Sequence, residues 1–487
     1  MMPPERKVIP IRPEPMAAAG TGEGARGVDG EMISLYASHE KIYPRSVSGL
    51  FSRWRWAMVV LTQLVFYGLP WLEWGQRQAV LFDLGARRFY IFGLVLYPQD
   101  FIYLTGLLVI SALSLFLFTA VAGRLWCGYA CPQTVYTEIF LWIEKRVEGD
   151  RSARMRRDAK PWSADWLWRK GTKHGLWLAV ALWTGFTFVG YFTPVRELAR
   201  ESLQLSLSAW ELFWTLFYGF ATYGNAGWMR EQVCKYMCPY ARFQSVMFDP
   251  DTLVITYDAK RGDPRGARGR KADPKVMGLG DCVDCNICVQ VCPTGIDIRD
   301  GLQYECIGCA ACIDGCDQVM DKMGYSRGLI RYSTENAIKG KYADREIKRH
   351  VMRPRVLIYS GLLVLVVIAF FGGLLLRSPL KVDVIRDRGA LVRDAAGGQI
   401  ENVYRLQFIN TDEQMHRYEL SVSGLPGLEL VVQQPLEVPP ATTQMVPVAV
   451  HIDPTGLASG SHPIVFHIKE IDRPGVRADE KSRFFVR

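Results

Sequence analysis

Long uncharged apolar runs, set between very polar stretches, constrain this chain more than any other feature. Phe101–Gly123 contains no charged residue, and Val356–Leu376 is bracketed by Arg355 and Arg377. Hydrocarbon offers backbone N–H and C=O groups no partners, so such runs cross a bilayer as helices of about 20 residues. Trp56–Leu72, Gly175–Val195 and Leu212–Met229 have comparable character. Together the five predict a multi-domain membrane protein with a five-helix transmembrane bundle, in preference to buried helices of a large soluble domain. Phe89–Tyr97 is apolar but too short to span, and reads as a re-entrant piece or as a strand outside the membrane. Over all 487 residues the mean hydropathy is close to zero, an average that hides this segregation.

Lysine and arginine set the orientation. The first 55 residues hold eight, 73–100 three, 123–174 eleven, 193–209 two, and 230–355 about twenty. The alternation predicts a cytoplasmic N-terminus, with the loops 123–174 and 230–355 also cytoplasmic. The chain beyond Arg377 is then periplasmic, in a bacterial inner membrane. The formal charge of +9 reads as this bias and not as a nucleic-acid signal. Residues 1–40 are rich in Pro, Gly and Ala with no apolar period, which predicts a disordered cytoplasmic tail without a cleavable signal. The resulting domains are a membrane region over 41–250, a cytoplasmic ferredoxin-like segment over 251–354, a fifth span over 356–376 and an outer domain over 381–487. In the last, 403–408, 418–422, 445–452 and 463–468 alternate polar and apolar residues. Short strands at that spacing over about 100 residues predict an Ig-like β-sandwich.

All twelve cysteines lie between Cys127 and Cys316. Cys282-x2-Cys285-x2-Cys288-x3-Cys292-Pro293 is followed by Cys306-x2-Cys309-x2-Cys312-x3-Cys316. This is the spacing of bacterial ferredoxins with two [4Fe–4S] clusters. Three cysteines in a tight loop reach three corners of a cubane, and the fourth thiolate comes from the other motif. One cluster is thus expected on Cys282, Cys285, Cys288 and Cys316, the other on Cys306, Cys309, Cys312 and Cys292. Zinc sites and disulfides are the alternatives, the latter disfavoured in a reducing compartment. Eight acids between Val276 and Tyr325 face only Arg299 and Lys322. That excess predicts low-potential clusters. The basic stretch Lys260–Lys275 reads as a solvated linker near anionic lipid, or as a dock for an acidic donor.

The other four cysteines form two Cys-x3-Cys-Pro motifs, Cys127/Cys131 before Pro132 and Cys234/Cys238 before Pro239. Each follows an inward-running span, so the topology puts all twelve thiols on one side. Proline suits the first position of a helix, and a thiol at a helix N-terminus has a lowered pKa. Paired thiolates favour soft metals such as Cu(I), or could cycle through a disulfide. The bland reading is four small buried residues at helix joints. His174, at the start of the third span, is a metal or haem ligand or an interfacial hydrogen-bonding residue.

With two membrane Cys-x3-Cys-Pro motifs, a two-cluster segment, a fifth span and an outer Ig-like domain in this order, the chain from about residue 30 resembles the FixG/RdxA/CcoG proteins, accessory proteins of cbb-type cytochrome oxidase. The resemblance implies a cupric reductase, an oxidoreductase converting Cu(II) to Cu(I) for oxidase assembly. Cys127, Cys131, Cys234 and Cys238 would handle copper, and the eight ferredoxin cysteines would bring electrons from an unknown donor. Oxidase assembly factors or copper carriers are the implied partners. Two other readings stay open: a NapH- or NosR-like quinol dehydrogenase serving a periplasmic acceptor, and a non-enzymatic scaffold or copper chaperone with structural clusters.

Overall fold

A computed structural model describes residues 41–487, apart from 271, 275, 379, 388–391, 474 and 487. The tail expected over 1–40 lies outside the described residues. Six helices organise the membrane region: α1 (Leu50–Gly68), α2 (Phe101–Ala122), α3 (Pro132–Glu148), α4 (Ala164–Val189), α5 (Ala209–Tyr223) and α6 (Pro354–Leu375). Among the described residues, α2 and α6 alone are both long and apolar enough to cross a membrane. The other three expected spans are helical but differently built. The first helix carries Arg53 and Arg55 in its opening turns. Its third-span counterpart, α4, starts well before Gly175 with Arg169, Lys170 and Lys173, and stops at Val189, ahead of Pro194. The segment thus ends six residues short of the predicted Val195, with Gly190 as its C-cap. The fourth, α5, has 15 residues and continues as a π-helical stretch, Gly224–Met229.

The α2–α6 pair is pinned along its length. Tyr103 donates a 2.8 Å hydrogen bond to the Gly373 carbonyl, and a Cβ on Gly106 would stand 2.9 Å from the Phe370 ring. At one end buried Asp100 pairs with Arg377 and Lys381, each at 2.5 Å. At the other, Arg353 reaches Asp249 at 2.9 Å and the Ala120 carbonyl at 2.5 Å. Twenty-two residues rise about 33 Å, the thickness of a hydrocarbon core. The α4–α5 contact is closer still: a Cβ on Gly185 would collide with the Thr215 carbonyl and the Gly219 nitrogen, the small-residue approach that membrane helices favour.

Beyond the Asp100 end lie two β-structures. Strands β1 (Val80–Asp83), β2 (Arg88–Ile91) and β3 (Leu94–Leu96) form an antiparallel sheet. The apolar run 89–97 is therefore a strand pair, not a re-entrant helix. Leu81, Tyr90, Val95 and Tyr97 pack on Ile409, and Tyr97 donates to the Asn410 carbonyl at 3.2 Å. Ile409 and Asn410 belong to the C-terminal sandwich. Its strands are β4 (Leu380–Arg386), β5 (Ile400–Asn410), β6 (His416–Ser423), β7 (Glu429–Val431), β8 (Leu436–Val438), β9 (Thr443–Ile452), β10 (Gly460–Glu470) and β11 (Arg477–Val486). One sheet runs β7-β9-β5-β4, with Arg393–Asp394 also on β5; the other runs β8-β6-β10-β11. Leu406 sits opposite both Val446 and Val384. Period-two alternation sends Tyr404, Leu406 and Phe408 inward against Tyr418, Phe466 and Phe484, the core of a two-layer sandwich. The cysteines lie beyond the opposite end of the α2–α6 pair.

Candidate iron–sulfur and thiol site

The two four-cysteine motifs fold as repeats of one backbone shape. Asp284 and Gly308, each preceding the second cysteine of its motif, have φ of 49° and 69°. Asn286 and Ala310, each following that cysteine, have φ of 53° and 58°. Left-handed residues beside right-handed ones turn successive N–H groups toward one concave side, the nest geometry found at iron–sulfur sites. The helices Ile287–Gln290 and Ala311–Met323 then bring in Cys288, Cys312 and Cys316. Antiparallel strands Val254–Tyr257 and Ile330–Ser333 wall the cavities.

The first cavity, about 340 Å³, is lined by Cys282, Cys285, Cys288 and Cys316 beneath Tyr257 and Met320. The second, about 330 Å³, is lined by Cys292, Cys306, Cys309 and Cys312, with Cys288 at its edge and Ile255 and Ile307 as walls. Each cavity gathers three cysteines of one motif and the last cysteine of the other. Among the described residues no three His, Cys, Asp or Glu side chains converge on a point close enough for a single metal ion. The sulfurs surround a volume, and four thiols in an apolar cavity are the donor set of a cubane. All twelve cysteines are free of disulfides. Burial pushes the Cys288, Cys306 and Cys316 thiols up to about 12 and raises Cys309 and Cys312 as well. A cationic core is what draws protons from such thiols.

Charge around these cavities differs from the linear count. Arg261 pairs with Asp281 at 2.6 Å, and Arg265 approaches Asp300 at 3.8 Å. Arg299 bridges Asp284 and Asp297 at 2.6 and 2.5 Å, and Arg327 meets Asp321 at 2.7 Å. Arg268 donates to the Gly280 and Cys282 carbonyls at 2.6 and 3.2 Å. The stretch read as a solvated linker thus folds back over the first motif through Arg261, Arg265 and Arg268, and it pairs with two of the eight acids counted there, Asp281 and Asp300. Asp314 has a different role. Its buried carboxylate accepts from the Ser52 and Phe51 amides at 2.7 and 3.2 Å, capping α1, which has no side-chain cap of its own.

The Cys-x3-Cys-Pro motifs end at helix starts, as expected. Pro132 opens α3 and Pro239 opens Pro239–Met247. Cys127 lies on the short helix Leu125–Tyr129 and Cys234 on a π-helical turn, Val233–Met237. The tertiary fold brings the four thiols into electrostatic range of one another. Burial pushes Cys127 up to about 11 and Cys234 up to about 12, and the neighbouring thiols reinforce this. Cys131 is raised by burial too, with Cys238 adding to it. The lowered pKa expected for a thiol at a helix N-terminus is thus reversed at Cys131, where burial outweighs the amide hydrogen bonds of Gln133 and Thr134.

Cys127 and Cys234 pack against a buried cluster of Val291, Ile307, Cys309 and Ala311, of which Ile307 and Cys309 also line the second cavity. Contact is tightest at Gly128, where a Cβ would stand 2.7 Å from the Gly308 carbonyl oxygen and 3.0 Å from the Cys309 Cα. Arg124 bonds the carbonyls of Tyr304 and Ala241 and approaches that of Cys306 at 3.4 Å. The Cys127 thiol donates to Gln244 at 3.4 Å. Arg124, Gly128 and Gln244 were not singled out from the sequence; the one signal was the charge of Arg124 at the end of a span. His174 is held by Tyr223, with Nδ1 to Oη at 2.9 Å, and lies between the Trp177 and Trp228 rings.

Comparison with known proteins agrees with this anatomy. Residues 104–148 match a 4Fe-4S binding domain, 229–335 a 4Fe-4S dicluster domain, and 370–487 the immunoglobulin-like fold at the C-terminus of FixG. Nitrogen fixation protein FixG of Rhizobium meliloti is 41% identical over 429 residues, 82% of each chain. Protein RdxA of Cereibacter sphaeroides is 40% identical over 404 residues, 81% of this chain and 84% of its own. The ferredoxin-type protein NapH of Haemophilus influenzae is 23% identical over 233 residues, 45% of this chain and 68% of its own. On identity, coverage and the order of its domains, this chain belongs to the FixG/RdxA family of iron–sulfur proteins.

Proposed function

We infer that the protein is a multi-pass inner-membrane oxidoreductase that reduces Cu(II) to Cu(I) for assembly of a cbb-type cytochrome oxidase. One observation carries the reading: the four paired thiols share a wall with the second four-cysteine cavity, through Cys127 and Cys234. When bound, a [4Fe–4S] cluster supplies single electrons at low to moderate potential. The ligands in this reading are Cys282, Cys285, Cys288 and Cys316 for one cluster, and Cys292, Cys306, Cys309 and Cys312 for the other. Cys127, Cys131, Cys234 and Cys238 hold the copper substrate. Cu(II) gains one electron and becomes Cu(I), the state that soft sulfur ligands prefer. The raised thiols of Cys127 and Cys234 suit a transient hold, since copper must displace their protons to bind and release follows when protons return.

In this reading α1, α4 and α5 complete a five-helix bundle with α2 and α6. The thiols and clusters face the cytoplasm, and the β-sandwich faces the periplasm, where a copper carrier or oxidase assembly factor can dock. The likeness to NapH over 45% of the chain supports a second reading, quinol oxidation with export of electrons. A direct test separates the two. Reduced, purified protein is mixed with Cu(II), in parallel with a variant carrying serine at Cys127, Cys131, Cys234 and Cys238. Rapid Cu(I) formation in the first and its loss in the second are expected. Equal rates, or quinol oxidation without copper reduction, would remove the assignment.

A further inference from the structure

A third cavity, about 120 Å³, lies between the segment before α1, the start of α1, helix α3 and the loop around Cys292. No part of the electron-transfer reading uses it. Charge dominates its lining, with Arg45, Arg55, Lys145 and Arg154 against Glu138 and Asp150. Arg154 is committed to Glu144 at 2.6 Å, and Asp150 accepts from the Ser46 amide at 3.1 Å. Arg45 and Lys145 are exposed. Arg55 is different: it is only 6% exposed. Its buried Nε has no hydrogen-bond partner among the described residues, and Glu138 stands off at 3.7 Å. Arg55 thus lines the cavity with one long ion pair as its only charge partner there among the described residues, and a guanidinium so placed, among cations that outnumber the acids, suits an anion with several oxygens.

The surroundings indicate which anion. Trp56 and Trp142 line the same cavity, with their rings 6.3 Å apart edge to face. Indole rings beside basic residues mark the headgroup level of a bilayer, and basic pockets beside membrane helices on the cytoplasmic side take lipid headgroups. Arg55 and Trp56 sit in the opening turns of α1, where that helix leaves the cysteine domain. We propose that this cavity binds the phosphate of an anionic phospholipid headgroup, with Arg55 as the inner donor and Arg45 and Lys145 as the outer cations. Val291 and Pro293 also line it, so the headgroup would rest against the loop carrying Cys292 and moor the cysteine domain to the membrane surface. The proposal goes beyond copper chemistry and rests on the proposed membrane topology, in which α1 enters the bilayer at this end.

The test uses the full-length protein in mild detergent. Native mass spectrometry reads the retention of added phosphatidylglycerol and phosphatidylcholine, and thermal melting reads protection by the same lipids or by inorganic phosphate. Wild type is expected to retain and be protected by phosphatidylglycerol, and not by phosphatidylcholine. The double variant Arg45→Ser/Lys145→Ser, altered only at exposed positions, should weaken phosphatidylglycerol binding about 30-fold, the attraction lost with two basic residues. Arg55→Gln should abolish the discrimination between the two lipids while the cluster absorbance is unchanged. If Arg55→Gln does not fold, the double variant decides. Equal retention of the two lipids by wild type, or undiminished binding in the double variant, would overturn the proposal. Protection by inorganic phosphate with none from phosphatidylglycerol would overturn the lipid as the source of the anion.

Discussion

Gly128→Ala probes the contact between the paired thiols and the second cavity with a single methyl group. The added Cβ would lie 2.7 Å from the Gly308 oxygen, 2.8 Å from the Gly308 carbon and 3.0 Å from the Cys309 Cα. All three are backbone atoms, so no side chain can swing aside. Carbon–carbon contacts are favourable from about 3.5 Å, so the two loops must part by several tenths of an ångström. Overpacking of this kind costs about 1–3 kcal/mol. Tyr332 braces Gly308 from the other side with a 2.8 Å hydrogen bond to its carbonyl, which limits the retreat. The expected result is a lower melting temperature together with slower single-turnover reduction of Cu(II) by pre-reduced protein, followed with a Cu(I) chelator. Gly361→Ala is the control, since a Cβ there meets nothing within 4 Å, and in a helix interior it should stabilise by up to about 1 kcal/mol. If Gly128→Ala melts and transfers electrons like wild type, the loops are not in the contact described and the argument for a shared wall is wrong.

Three further outcomes are expected. Asp100→Asn leaves Arg377, whose side chain is 9% exposed, buried without its counter-charge; breaking such a pair costs about 3–5 kcal/mol, read as a large drop in melting temperature. Asp314→Ala removes the cap on α1, worth about 0.5–2 kcal/mol, and should accelerate hydrogen exchange at Phe51 and Ser52 while the rest of α1 keeps its protection. Copper binding should strengthen with rising pH. With Cys127 and Cys234 pushed up to about 11 and 12, the metal-free state holds more protons than the loaded one. Each proton displaced then adds up to about tenfold in Cu(I) affinity per pH unit around neutrality; a flat profile in chelator competition would show that the thiols are ionised before copper arrives.

Much of the architecture was legible because it rests on local periodicity. The runs at 101–123 and 356–376 became α2 and α6 within two residues at each end. The alternating segments of the last hundred residues became β5, β6, β9 and β10. Proline after cysteine marked two helix starts. The other helices expected to span were harder to delimit, since α1 and α4 carry arginines and lysines into their first turns. In α4, Lys173 is buried beside Glu148 at 3.3 Å, and pairing of this kind suppresses the hydropathy signal that a span would give.

By itself the sequence determined which residues can hold metal and where apolar helices and strands must form, because ligand spacing and side-chain period act over a few residues. Only the tertiary structure decided that Cys127 and Cys234 lean on the Cys309 loop, and that an acid counted near the clusters is the cap of a distant helix. It alone decided that arginines from a supposed linker pair with Asp281 and Asp300 beside the first motif, and that burial raises the Cys127, Cys131 and Cys234 thiols. Burial and charge are summed over neighbours in space, and those neighbours come from distant segments, 262 residues apart for Ser52 and Asp314.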